Sequence, residues 1–219
     1  MSDRPKHAWP RTVPEARAIQ QELRSRVEAR DRLGRVELVA GVDASYDRSA
    51  GATRGAVALL RLPGLEPVAH RVVRRRTRFP YVPGYLSFRE TPALLAAVAA
   101  LRTRPHVILC DAHGLAHPRR FGLACHLGVL LDLPSIGVAK SRLVGAHAPV
   151  PEARGAWTPL RDGTETIGAV LRTRAGVRPV FVSVGHRVSL ETAIEIILRC
   201  TPRYRLSEPI RSAHALAVR

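Results

Sequence analysis

Two short peptides place acidic side chains where acids are costly. In RVELVAGVDASY (35–46), Val36, Leu38, Ala40 and Val42 alternate onto one face of a predicted strand, and Asp43 falls on the other with Val39 and Gly41. In HVILCD (106–111), an apolar run ends on Asp111 where the chain leaves the sheet. An isolated buried carboxylate must lose its charge or find a partner, so each position calls for a cation, a hydrogen-bond network or water at a rim. Hard divalent cations such as Mg²⁺ take carboxylate oxygens and keep several waters, and two strand-borne aspartates joined by sheet pairing would suit one. Glu90 offers a third oxygen, and His214 could join from the other side. Two ions ~4 Å apart can activate water and stabilise the leaving oxygen in phosphodiester hydrolysis. An Asp near a strand end is also a common turn or cap residue, and spacing alone leaves that reading open.

The elements that must position these groups follow from periodicity. Residues 14–33 carry Ala18, Ile19, Leu23 and Val27 on one face and meet Gly34, which predicts a first helix. Strands are predicted at 35–46, 54–62 and 67–79, an antiparallel meander. PYVPGY (80–85) cannot be regular, because its two prolines fix dihedrals and remove donors; 87–101 then turns helical. A strand at 106–111, a helix at 119–131 and a strand at 135–139 follow, then strands at 165–172 and 179–184 and helices at 189–200 and 208–218, with 145–164 read as a surface connection. A meander followed by strand and helix alternation predicts an α/β ribonuclease H-like fold, a mixed sheet flanked by helices, in a single domain over 1–219.

Composition narrows the partner. The 219 residues hold 35 Lys+Arg against 18 Asp+Glu, a net charge of +17, with five arginines within 71–78 and two more at Arg119 and Arg120. Such a balance favours a polyanion, since neutralising phosphates releases condensed counterions. Three cysteines without paired spacing predict reduced chemistry, and no apolar run is long enough for a bilayer; a soluble, cytoplasmic monomer is expected. Cys110, His113, His117, Cys125 and His126 cluster in sequence, but their spacing matches no common zinc pattern.

GVDASY (41–46), FPYVPGYLSFRE (79–90), CDAHGLAHPRRFGLACHLG (110–128), IGVAKSRL (136–143) and LSEPIRSAH (206–214) together resemble the endonuclease V family over nearly the whole chain. The resemblance implies catalytic carboxylates at Asp43, Glu90 and Asp111, with His214 as fourth member and Asp43 and Asp111 as principal ligands of Mg²⁺, for which Mn²⁺ could substitute. It implies that Lys140 holds the cleaved phosphate or orients water. Pro80, Tyr81, Val82, Pro83 and Gly84 match a wedge that enters the duplex at the lesion, with His117 and Arg119 in a loop near the bound strand. The implied activity is cleavage of the second phosphodiester bond 3′ to deoxyinosine in DNA, leaving 3′-hydroxyl and 5′-phosphate ends. Inosine-containing RNA is the alternative substrate, and a non-catalytic, basic nucleic-acid-binding protein the alternative class. The chain departs from the family at Ala112, where a glycine is usual, which disfavours any positive-φ backbone there. It departs again in its closing block, SEPIRSAH, where a PEPTR-like run is common in the family.

Overall fold

The computed structural model describes residues 7–219. Its elements run α1 (Val13–Arg24), β1 (Leu38–Asp47), β2 (Ala52–Arg61), β3 (Glu66–Arg76), α2 (Leu86–Ala99), β4 (Val107–Cys110), α3 (Leu123–Leu131), β5 (Ser135–Ala139), β6 (Trp157–Asp162), β7 (Glu165–Leu171), β8 (Val180–His186), α4 (Leu190–Arg199) and α5 (Glu208–Ala217). The strands form one eight-stranded sheet in the order β3-β2-β1-β4-β5-β8-β7-β6. The β1–β2–β3 meander is antiparallel, and the helical crossovers α2 and α3 make β4 and β5 parallel to β1. The remaining three strands pair antiparallel beyond β5. The chain is thus the expected mixed α/β sheet flanked by helices.

Strand alternation divides the core. Leu38, Ala40, Val42, Ile108 and Cys110 face α2 and α3, where Leu94, Ala97, Val98 and Leu127 cover them. Val39, Leu109, Ile136 and Val182 face the other way, against Ile194 and Ile197 of α4 and Ile210 of α5. Asp43 belongs to this second face by its parity with Val39 and Gly41.

Three expectations need correction. The first helix stops at Arg24, nine residues before the predicted end at 33. Beyond it the backbone is used for tertiary bonds: Glu28 N–H donates to His186 Nδ1 at 3.2 Å, Arg187 N–H to the Glu28 carbonyl at 2.6 Å, and Asp31 accepts from Ser189 at the start of α4. The third helix begins at Leu123 rather than 119, because Arg120 takes a left-handed φ of 53°. The segment 145–164 is more than a connection, since it carries the edge strand β6. Only Leu160 of β6 is buried and Pro159 interrupts it, so no period-two signal marked it. Among the described residues no helix is long and apolar enough to cross a membrane.

Candidate metal centre

Parallel pairing of β1 with β4 sets Val42 beside Cys110, so the next residues lie side by side: Asp43, still paired with Ala56 inside β1, and Asp111, the first residue past β4. The Asp111 N–H still bonds the Val42 carbonyl at 3.3 Å, which holds Asp111 against β1. From the open side comes α5. Gly41 lets it approach: a Cβ there would lie 2.0 Å from the Pro209 carbonyl carbon and oxygen. The helix seated in this way puts His214 Nδ1 2.6 Å from Asp43 Oδ2, while Asp43 Oδ1 accepts from the Ala44 N–H at 2.8 Å. One donor atom from each of Asp43, Asp111 and His214 lies within 4.8 Å of the others.

Electrostatics at this point ask for a cation. Burial first, and then the nearby Asp111 charge, push the Asp43 carboxyl above its usual range, against the hydrogen bond from His214. Glu90, half-buried in α2, is pushed up to about 8 by burial, reinforced by Asp43 and Asp111 and opposed by Arg89. The structure brings Glu90 close enough to feel both aspartates but leaves it outside the three-residue cluster. Lys140, one residue beyond β5, donates from Nζ to Asp111 Oδ2 at 2.5 Å. Two carboxylates and an imidazole, all at the loop-facing edge of a sheet, fit a hard divalent ion, whose charge would offset the repulsion that the acids exert on one another.

The PYVPGY segment lies beside α2. Phe79 is buried with Tyr85 and Phe88, whereas Tyr81 is 65% exposed with Pro80 and Pro83 exposed on either side of it and Val82 partly buried. The turn closes at Gly84, whose φ of 78° suits glycine and whose added Cβ would meet an Arg119 nitrogen at 2.8 Å. Three donors converge on the Gly84 carbonyl: Gln20 Nε2 at 3.1 Å, His117 Nε2 at 3.0 Å and an Arg119 guanidinium nitrogen at 2.5 Å. His117 Nδ1 accepts from the Arg119 N–H at 3.2 Å, which assigns a neutral ring protonated at Nε2. Burial, then the Arg119 charge, lowers its pKa to about 4. His117 and Arg119 thus hold the segment that carries Tyr81, with their polar atoms turned inward.

Sequence reasoning missed Gln20, although it had a signal: a polar residue 1% exposed on the Ala16–Gln20–Leu23 stripe of α1. It also missed the pair Arg89 and Tyr46, which no local pattern marks. The Arg89 guanidinium lies 3.8 Å above the Tyr46 ring and 5.8 Å from that of Tyr81. Ala112 is absent from the residues with positive φ, so its methyl is accommodated without left-handed strain. The neighbouring cysteines and histidines disperse: Cys110 and Cys125 are buried as free thiols, and His126 packs in tilted and edge-on contact with the rings of His7, Trp9, Phe88 and Phe121.

Residues 21–215 match the sequence model of the family described as Endonuclease V. Among curated proteins the chain is similar to Endonuclease V of Roseiflexus castenholzii, 60% identical over 211 residues that span 96% of this chain and 94% of that one. Among solved structures it is similar to Endonuclease V from Streptomyces avermitilis, at 45% identity and a TM-score of 0.93 over 100% of this chain and 96% of that one. It is also similar to Ciona intestinalis Endonuclease V in complex with a 24mer DNA containing an inosine followed by a ribo-adenosine, at 30% identity and a TM-score of 0.83, covering 94% and 96% of the two chains.

Proposed function

The chain belongs to the endonuclease V family, and on that premise we propose that it is a Mg²⁺-dependent DNA repair endonuclease acting beside deoxyinosine, at the second phosphodiester bond on the 3′ side. The observation that carries the reading is the meeting of Asp43, Asp111 and His214 within reach of Lys140, with an exposed Tyr81 between prolines in the turn ahead of the helix that carries Glu90. Asp43 and Asp111 would hold the ion. When bound, it supplies charge neutralisation and Lewis-acid polarisation of a phosphate oxygen. His214 fixes the orientation of the Asp43 carboxylate through its Nδ1 hydrogen bond. Lys140 brings a positive charge to the same edge, suited to an anionic phosphate once Asp111 is engaged by the ion. Glu90 holds its proton near neutrality in the free protein, and a nearby cation favours its release. Tyr81 supplies a ring on which a neighbouring base can stack, worth ~1–3 kcal/mol, comparable with the cost of taking the altered base out of the duplex. The whole of 1–219 would act as one domain, in line with its single continuous sheet.

The test is cleavage of end-labelled duplex DNA bearing one deoxyinosine, with Mg²⁺ or EDTA, by the wild-type protein and Asp43→Ala. The reading expects one Mg²⁺-dependent nick at the second bond 3′ to the lesion, leaving a 3′-hydroxyl, and no product from the variant. Equal cleavage by both proteins would sink the assigned centre. The Ciona intestinalis relative was studied on a strand with a ribo-adenosine after inosine, which favours RNA as the second reading. Tight binding without a nick in DNA, followed by cleavage of the matching inosine RNA, would select it.

A further inference from the structure

The sheet face that carries Asp43 also carries a row of arginines that the centre described above does not use. Register places Arg54 of β2 opposite Ser45 of β1 and Arg74 of β3 opposite Arg54; Arg76 lies one step further, opposite Ala52. Direct partners in a sheet point to one face, so all three share the side of Asp43, confirmed for β2 by Ala58 and Leu60 packing on Ala213 of α5. Arg54 is therefore two residues along and one strand across from Asp43, roughly 8 Å in backbone position, and Arg74 roughly 12 Å.

This row is costly in the free protein. Arg54 and Arg74 are like charges directly opposite on neighbouring strands, an arrangement that destabilises a sheet. Among the described residues the only acid bonded to the row is Asp47, which pairs with Arg74 at 3.0 Å. Arg54 is half-buried, its Nε is enclosed without a hydrogen-bond partner, and no ion pair reaches it among the described residues. Arg76 is exposed. Three guanidiniums against one carboxylate, on the meander side of the centre, leave positive charge that a row of phosphates would neutralise.

We propose that Arg54, Arg74 and Arg76 form a phosphate track that binds the backbone of the substrate nucleic acid on the β3 side of the centre, away from the bond that is cut. The inference rests on the nuclease reading for its ligand but assigns these residues to binding alone.

The experiment measures equilibrium binding of a fluorescent deoxyinosine duplex in EDTA across a KCl series. It compares wild-type protein, R54Q/R74Q/R76Q, and a control with equal charge loss, R30Q/R35Q/R102Q, whose sites lie in the segments entering β1 and β4 at the opposite end of the sheet. Each lost phosphate contact removes ~0.9 from the slope of log K against log salt. The track variant is expected to lose roughly 2 to 3 units of slope, and the control to keep the wild-type slope. Thermal melting checks the fold; if Arg54→Gln impairs it, the exposed pair R74Q/R76Q should still lose roughly 2 units. A slope equal to the control's would overturn the track. Metal-dependent nicking by wild-type protein, measured in parallel, keeps the two ideas separate. Nicking with an unchanged slope rejects the track alone, and a lowered slope without any nick rejects the nuclease reading alone.

Discussion

His117 Nε2 lies 3.0 Å from the Gly84 carbonyl oxygen, and that hydrogen bond joins two segments the sequence separates by 33 positions: the turn that displays Tyr81 and the loop that follows Asp111. With Gln20 and Arg119 on the same oxygen, three side chains hold the backbone of the turn that displays Tyr81.

Removing His117 should therefore impair substrate handling without touching the carboxylates. His117→Ala leaves the carbonyl two donors and a small cavity; we expect a loss of about 1–3 kcal/mol in stability and weaker discrimination between deoxyinosine and ordinary duplex, with Mg²⁺ affinity unchanged. Calorimetric Mg²⁺ titration alongside competitive duplex binding checks this, and a matching fall in Mg²⁺ affinity would contradict it. The same residue gives acid sensitivity. Its folded pKa is about 4, below the ordinary histidine value, so its contribution to stability is complete above about 6.5 and is lost as pH falls from there toward 4. His117→Gln should remove that share of the decline.

Glu90 has the opposite sign. Its carboxyl titrates near 8 in the fold, above the value of an unfolded glutamate, so the free protein is favoured below about 4.5 and loses stability as pH rises through 8. Glu90→Gln should consequently stabilise the metal-free protein more at pH 9 than at pH 5. Denaturant titrations in EDTA at the two pH values measure this. Added Mg²⁺ should shrink the difference, because the cation supplies the counter-charge; a benefit that is the same at both pH values would rule out the buried-carboxyl account.

How far the centre was legible in sequence depended on what each residue type costs where it stands. Asp43 and Asp111 stood out because an acid within or just past an apolar strand is expensive, and the register of β1 with β4 then set them side by side. His214 carried no such cost on an exposed helix position, so the residues offered it only as a group that could join from the other side, and the family resemblance gave it a place in the constellation; its position follows from the close approach of α5 at Gly41, a long-range contact. The meander and the α2 and α3 crossovers were readable from period. The stretch after Arg24 was not, because its helix-like pattern is overridden by backbone bonds to His186 and Arg187, far along the chain. Edge strand β6 escaped for want of alternation, and Arg89 over Tyr46 depends on a packing angle that sequence does not carry.

The aspartates should separate binding from chemistry. Asp111→Asn keeps the shape but removes the charge that Lys140 pairs with and that raises the Asp43 carboxyl. Mg²⁺ affinity should fall at least tenfold, about 1.4 kcal/mol, and nicking should drop by two orders of magnitude or more, while deoxyinosine binding in EDTA is kept or strengthened as negative charge leaves the interface. Weaker DNA binding in EDTA would show instead that Asp111 organises the loop carrying His117.

Tyr81 is 65% exposed, so whatever it contributes is not packing in the free protein. Tyr81→Ala should leave the melting temperature within error and weaken binding to a deoxyinosine duplex by the value of one base stack, ~1–3 kcal/mol or roughly 5- to 150-fold. Tyr81→Phe keeps the ring and should bind within about twofold of wild type. The contrast matters because Arg89 lies 5.8 Å from this ring and 3.8 Å from Tyr46, so the tyrosine also belongs to a surface cluster. If cluster integrity were the real contribution, Tyr46→Ala would weaken lesion binding as much as Tyr81→Ala. Stacking at the lesion predicts a large loss for Tyr81→Ala alone, and a smaller one in a single-stranded substrate, where no opposing stack has to be filled.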